Sequence, residues 1–191
     1  SINVLDCSQS FGVLNPTDIS NVNYLIFAGH KSLYASFGIA GFLKLKNDSL
    51  QVVKAGGTGS DSLNPEMPLQ TPYRYEAGSP NIVAIAGLHT SIQWLKKTDV
   101  KTKEIVLMDQ LVEELRKIDG LVVYQPPLKN SFGVISVNLN GYSSEDLASI
   151  LNEDYDICVR AGYHCAPLVH DFIDSKEFNG TVRISLNYFN D

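Results

Sequence analysis

Three side chains within the first 31 residues have the types and positions to hold one aromatic heterocycle. Lys31 follows Gly29-His30 at the mouth of the apolar run Tyr24-Leu25-Ile26-Phe27, and Gly29 offers a turn at that run's carboxyl end. Asp6 closes an earlier apolar run, Ile2-Asn3-Val4-Leu5, and Gln9 lies three residues further on. A lysine amine forms a Schiff base with an aldehyde, and a carboxylate keeps a basic ring nitrogen protonated. Most lysines are solvated surface charges, so Lys31 alone carries nothing. Its company does, because ligands of open α/β sheets lie beyond the carboxyl ends of the strands, where two strand-end groups can converge. The cofactor that such a set suits is pyridoxal 5'-phosphate.

A second set lies near the other end. Cys165 sits in the loop Arg160-Ala161-Gly162-Tyr163-His164-Cys165-Ala166-Pro167, between apolar segments and beside an arginine and a histidine. Cationic neighbours favour the thiolate, the nucleophilic form of cysteine. Two readings stand open for Cys165, an activated thiol and a buried loop thiol. Cys7 and Cys158 lie in apolar, strand-like runs and read as core residues. Arg160 and Arg183 also have two readings each. Either is a surface ion pair of little worth, or a planar fork that grips a carboxylate through two hydrogen bonds.

These groups need a scaffold, and the chain is long enough for one. Its 191 residues, 44% hydrophobic and 19% charged, describe an ordinary globular protein with one real core or two modest ones. The net charge of -6 and the lack of a dense Lys/Arg stripe argue against a nucleic-acid surface. No apolar run approaches the ~18 residues of a membrane span, and no signal segment opens the chain, so a cytoplasmic protein without membrane or nucleic-acid partners is expected. The three cysteines include no C-x-x-C pair, and no metal ligands are assigned.

Strands are expected over 2–5, 24–27 and 39–45, with 50–54 as a further candidate. The flexible Gly56-Gly57-Thr58-Gly59-Ser60 follows, then Pro65, Pro68 and Pro72 in an extended or looping path. Ser79 and Pro80 read as the cap and first residue of a helix running to Lys97, with Ile82, Ile85, Leu88, His89, Ile92 and Leu95 at helical spacing. His89 on that stripe reads as a packed histidine. Ile105, Met108, Leu111, Val112, Leu115 and Ile118 mark a second amphipathic helix that Gly120 ends. Strands over 121–124 and 134–139, joined through Pro126-Pro127, precede a short helix that Ser143-x-x-Asp146 caps and that ends near Asn152. Another strand is expected over 156–160. Val182-Arg183-Ile184-Ser185-Leu186-Asn187 alternates strictly, so Arg183, Ser185 and Asn187 share one face and three aliphatics face a core. The division expected is an α/β portion over 1–97 and a small α+β domain over 98–191.

Six segments in order resemble the carboxyl-terminal half of the cysteine desulfurases, class-V aminotransferase-fold enzymes with selenocysteine lyases among their close kin. They are Asp6-Cys7-Ser8-Gln9, Phe27-Ala28-Gly29-His30-Lys31, Gly56-Gly57-Thr58-Gly59-Ser60, Arg74-Tyr75-Glu76-Ala77-Gly78-Ser79-Pro80-Asn81, Arg160-x4-Cys165 and Arg183-Ile184-Ser185. The resemblance implies part of the large-domain sheet of a fold-type-I pyridoxal phosphate enzyme, followed by its small domain. It implies that Lys31 holds the cofactor and moves the substrate's α-proton, that Asp6 pairs with the ring nitrogen, and that Gln9 bonds the ring's phenolic oxygen. His30 would contact the phosphate, and Thr58 the phosphate of a neighbouring subunit in a homodimer. Arg183 would bind the substrate carboxylate, with Arg160 near the substrate and the nucleophile. Cys165 would take sulfur from L-cysteine, leaving alanine and an enzyme persulfide for a sulfur-acceptor protein. The thiolate is a soft nucleophile suited to sulfur, and a mobile loop is expected to carry it.

The chain also departs from that pattern. Ala28 stands where relatives commonly carry a hydroxyl, Ser10-Phe11-Gly12-Val13 lacks a histidine many relatives show, and Ala35-Ser36-Phe37-Gly38 replaces a Gly-Pro turn. Family members carry about as much chain again before the aspartate strand, including a phosphate-binding turn and an aromatic residue stacked on the cofactor. The expectation is therefore a piece of a longer protein, or one half of a split one, that alone binds the cofactor poorly and turns over little. Selenocysteine lysis, amino-group transfer and a non-catalytic fragment are the competing readings.

Overall fold

The computed structural model describes residues 1–59, 63–125 and 133–191. Ser60 of the glycine-rich segment and the expected Pro126-Pro127 junction lie outside the described residues. The chain divides into two compact units, Ser1–Thr98 and Asp99–Asp191.

The first unit is built on a three-stranded sheet in the order β1 (Val4–Asp6), β2 (Tyr24–Ala28), β3 (Ala40–Lys44). β1 and β2 run parallel with Asp6 opposite Ile26, and β3 returns antiparallel to β2. Tyr24, Leu25 and Ala28 of β2 are buried together with Cys7, Val13 and Leu33, so the core of this unit gathers around its central strand. Gly29 has a packing role rather than a conformational one. A Cβ there would stand 2.5 Å from Ile39 Cγ2, and the Gly29 amide donates to the Ile39 carbonyl at 2.9 Å.

No strand forms over 50–54. The Leu50 amide donates to the Tyr75 hydroxyl at 3.3 Å instead of to a neighbouring strand. α1 spans Ile82–Leu95, and its cap is Asn81, whose side chain accepts the Ala84 amide at 3.1 Å, rather than Ser79. Its buried face is also rotated from the expected stripe. Ala84 and Ser91 are buried, whereas Ile82, Val83, Ile85 and His89 are exposed. The small side chains allow the close approach and the bulky ones stay outside. His89 is thus no packed histidine; its Nε2 lies 3.5 Å from Gln93 Nε2 on the solvent side.

The second unit begins with α2 (Val100–Leu115), capped by Asp99, whose side chain accepts the Thr102 amide at 3.1 Å. An antiparallel sheet follows in the order β4 (Leu121–Tyr124), β5 (Val134–Leu139), β6 (Val182–Ser185). α3 (Ser144–Tyr155) and α2 pack on it, and Met108, Val112, Ile135, Val137, Leu147 and Val182 form the core between them. Ser143 caps α3 as the sequence signals, accepting the Asp146 amide at 3.1 Å. The expected strand over 156–160 shrinks to a single bridge between Arg160 and Arg183. Asp156 takes the left-handed conformation that ends α3, which uses up the start of that run. Cys158 accordingly is exposed and no core residue, while Cys7 is buried as expected. A four-residue helix, α4 (Val169–Phe172), and a 3-10 turn at Lys176–Phe178 complete the unit.

Removing a side chain from the second core leaves a hole that the sheet and helices cannot close. Ile135→Ala is expected to cost about 2–5 kcal/mol in denaturant unfolding, against less than about 0.5 kcal/mol for Ile82→Ala on the open face of α1. Equal losses in the two variants would contradict this placement of the core.

Candidate functional site

Each unit carries one cluster of chemically capable side chains. In the first, the parallel pairing of β1 with β2 brings two carboxyl ends to the same edge of the sheet. Asp6 is the last residue of β1, and Lys31 lies three residues past the end of β2. The turns after the two strands are tied together where Ser32 Oγ donates to the Phe11 carbonyl at 3.0 Å. Asp6 accepts the Ser8 amide at 2.9 Å. Hydrogen bonds from Ser8 hold its carboxyl below the ordinary carboxylate range, and the charge of Lys31 lowers it further. The acid is therefore ionised at neutral pH and within electrostatic reach of the amine.

Gln9 and His30 are exposed beside them, and the His30 ring stacks on Phe37 with centroids 4.8 Å apart. Phe37 belongs to the segment that departs from the family pattern, and reasoning from sequence gave it no role. Thr58 is half-buried in the glycine-rich segment, which is tied to the segment before α1 where the Gly78 amide donates to the Gly57 carbonyl at 2.7 Å. The edge thus presents an ionised acid, an amine and polar groups, a donor set that fits a phosphorylated pyridine aldehyde.

In the second unit, residues 160–162 pair with 181–183. Arg160 and Arg183 exchange backbone hydrogen bonds at 3.1 and 2.7 Å, and Gly162 and Thr181 do the same at 3.1 Å each. The two backbones approach so closely that a Cβ on Gly180, at φ +103°, would stand 2.4 Å from the Gly162 carbonyl carbon. Beyond this ladder the chain makes a tight turn, with the Ala166 amide donating to the Tyr163 carbonyl at 2.9 Å. Its central residues, His164 and Cys165, have φ of +53° and +63°. Cys165 is exposed, which removes the buried-thiol reading, and Arg160 Nη2 lies 3.7 Å from its sulfur.

Arg183 donates through Nε to Ser185 Oγ at 3.1 Å, so the two share a face as the alternation of β6 implies. Neither Arg160 nor Arg183 forms an ion pair among the described residues, so neither is the bland surface bridge. Burial pushes the pKa of Arg183 below its ordinary value, as does the neighbouring Arg160 charge, while Cys165 opposes the shift.

His164 is not the cation that its position in the sequence suggests. Its Nε2 lies 2.9 Å from the Thr181 carbonyl, which only accepts, so that nitrogen carries the proton. Nδ1 is buried without a partner. Burial pushes its pKa below the ordinary 6.5, the Thr181 carbonyl opposes that, and Arg183, Arg160 and His170 push it further down. Arg160 is thus the cation beside the thiol. His170 is buried on α4, and sequence reasoning missed it; its only signal was a histidine inside the apolar run Leu168-Val169-His170-Asp171-Phe172.

The whole chain, residues 1–191, matches the family model described as aminotransferase class-V. It is 32% identical to a probable cysteine desulfurase of Methanothermobacter thermautotrophicus over 98% of this chain and 48% of that relative. A probable cysteine desulfurase of Pyrococcus abyssi is likewise 32% identical over 100% of this chain and 48% of its own length. Among solved structures, the apo cysteine desulfurase of Thermococcus onnurineus NA1 superposes with a TM-score of 0.86 at 31% identity, covering all of this chain and 49% of that one. A cysteine desulfurase from Escherichia coli, at 23% identity and a TM-score of 0.82, shares the fold. The chain spans about half the length of the curated relatives it matches. Among the described residues, no helix is long and apolar enough to cross a membrane.

A histidine whose folded pKa is depressed contributes stability above its unfolded value and loses it as pH falls. The second unit is therefore expected to weaken as pH drops below about 6.5, the ordinary value of His164, and His164→Gln should flatten that decline. Thermal unfolding across pH 5–8 for the two proteins tests this, and parallel curves would contradict it.

Proposed function

We propose, for a chain that belongs to the class-V aminotransferase family, that its residues serve a pyridoxal 5'-phosphate-dependent cysteine desulfurase, converting L-cysteine to alanine and protein-bound sulfur. The observation that carries this reading is the exposed Cys165 with Arg160 Nη2 at 3.7 Å from its sulfur. Amino-group transfer has no use for such a thiol.

The first cluster supplies the groups that would hold the cofactor: Lys31 for its aldehyde, Asp6 for its ring nitrogen, Gln9 for its phenolic oxygen and His30 for its phosphate. When bound, that cofactor acts as an electron sink for a carbanion at the substrate's α-carbon. Asp6 is suited to its part because it is anionic at neutral pH, so it pairs with a protonated ring nitrogen without giving up a proton. Lys31 is the base placed to take and return the α-proton. Arg183 grips the substrate carboxylate with a planar fork that its Ser185 contact already orients. The Cys165 thiolate would attack the substrate sulfur and break its bond to the β-carbon. The electron pair of that bond stays with the carbon skeleton, which is protonated to alanine, while Arg160 stays beside the Cys165 sulfur. The product is a persulfide on Cys165, which a sulfur-acceptor protein relieves.

Thr58 is assigned to the cofactor phosphate of a second subunit, which makes the working enzyme a homodimer. The three cysteines are free, which supports a reducing, cytoplasmic setting.

Two measurements test the reading. At saturating cofactor, borohydride is expected to fix a pyridoxyl group on Lys31, and Lys31→Ala should carry none. In protein that forms alanine from cysteine, Cys165→Ala is expected to lower turnover by about 100-fold or more. Label on other lysines only, or undiminished alanine formation in Cys165→Ala, would overturn the assignment.

A further inference from the structure

The turn that bears Cys165 is held from two sides by imidazoles, and neither histidine has a part in the chemistry described above. His164 reaches across to the residue before β6, with Nε2 at 2.9 Å from the Thr181 carbonyl and 3.0 Å from Thr181 Oγ1. His170 reaches back from α4, with Nε2 at 3.2 Å from the Tyr163 carbonyl and Nδ1 at 2.6 Å from Ser175 Oγ. Tyr163 also packs edge-on against the His170 ring, with centroids 5.0 Å apart. The carbonyl that His170 engages is the same one that closes the turn by accepting the Ala166 amide.

Such a clamp has something to hold. Positive φ at two successive residues with side chains costs of order 1–2 kcal/mol for each, and neither His164 nor Cys165 is glycine. Left alone, the turn would relax to an ordinary conformation and swing the thiol away from Arg160. The proton on each Nε2 is the connection, since a carbonyl can only accept.

We propose that His164 and His170 are positioning residues that fix Cys165 against Arg160, so that the thiol works from a clamped turn rather than from a mobile loop. This deepens the reading of Cys165 as the nucleophile and rests on that reading for its catalytic meaning. The groups facing His164 are Arg160, Arg183, His170 and Thr181, and two of them are cations. Burial, the two arginines and His170 favour the neutral ring, against the pull of the Thr181 carbonyl, and in that form Nε2 donates while Nδ1 stays bare.

The test is a double-mutant cycle on alkylation of Cys165 by iodoacetamide, resolved by mass spectrometry from that of Cys158. In the parent chain, Arg160→Gln is expected to slow Cys165 alkylation by about fivefold, because the guanidinium contact is lost. In His164→Leu, where the clamp is broken, the same change should matter by less than about twofold. His164→Gln keeps a donor at the place of Nε2 and should restore most of the dependence on Arg160. Unchanged Cys158 alkylation and circular dichroism report that the variants fold, and His164→Asn, too short to reach Thr181, replaces His164→Leu if that chain does not. An equal Arg160 effect in parent and His164→Leu overturns the proposal, as does failure of His164→Gln to restore it. Alkylation needs no cofactor, so absence of a pyridoxyl group on Lys31 with the coupling intact would sink the functional reading alone.

Discussion

A carboxylate serves a basic ring nitrogen only while it keeps its charge and faces the right side of the sheet, and both conditions are set by the pairing of β1 with β2. Side chains alternate along a strand, so a slip of one residue in that register would turn Asp6 to the opposite face. The register is supported by burial of Tyr24 and Leu25 on opposite faces of β2, and the Cys7 amide continues it by donating to the Ile26 carbonyl at 2.9 Å. The turn after β1 then aims the Ser8 amide at Asp6, which keeps the acid ionised. Lys31 enters the same edge because its own strand is parallel to that of the acid. The chemistry assigned to this edge follows from strand direction before it follows from any single side chain.

The second unit solves a different problem. A reactive sulfur must be reachable and yet held, and the chain does this with a left-handed turn on an otherwise regular antiparallel sheet. Hydrophobic packing of Ile135, Val137 and Val182 makes the sheet rigid, and the paired backbones of 160–162 and 181–183 extend that rigidity to the base of the turn. The glycines at 162 and 180 are the close contact that permits this. A Cβ added to Gly180 would stand 2.4 Å from the Gly162 backbone, so the absence of a side chain decides the architecture there.

Much of this was legible in the sequence, for reasons that differ by element. Strong periodicity located the two long helices and β6, although in α1 the periodic residues Ile82, Ile85 and His89 are exposed. The six ordered segments pointed to a fold that the superposition with the Thermococcus enzyme supports. What went unread was set by tertiary context. The buried face of α1 carries Ala84 and Ser91, small residues that hydrophobicity alone does not single out. The helix cap shifted from Ser79 to Asn81 because either side chain can accept an amide, and only geometry chooses. His164 is neutral rather than cationic because burial, with Arg183, Arg160 and His170 nearby, disfavours its charge, and that burial does not show in its sequence neighbours. His170 gave no motif at all, since a buried polar residue is announced by its partners rather than by its neighbours in sequence.

Arg160 and Arg183 stand directly across from one another on paired backbones, two like charges that form no ion pair among the described residues. Most proteins surrender some electrostatic support when ions are added to the solution. At this pair the sense is reversed, because dissolved ions thin a repulsion rather than an attraction. Added salt therefore eases this pair where it would loosen an ordinary ion pair, a consequence of two cationic neighbours that the fold makes share a rung.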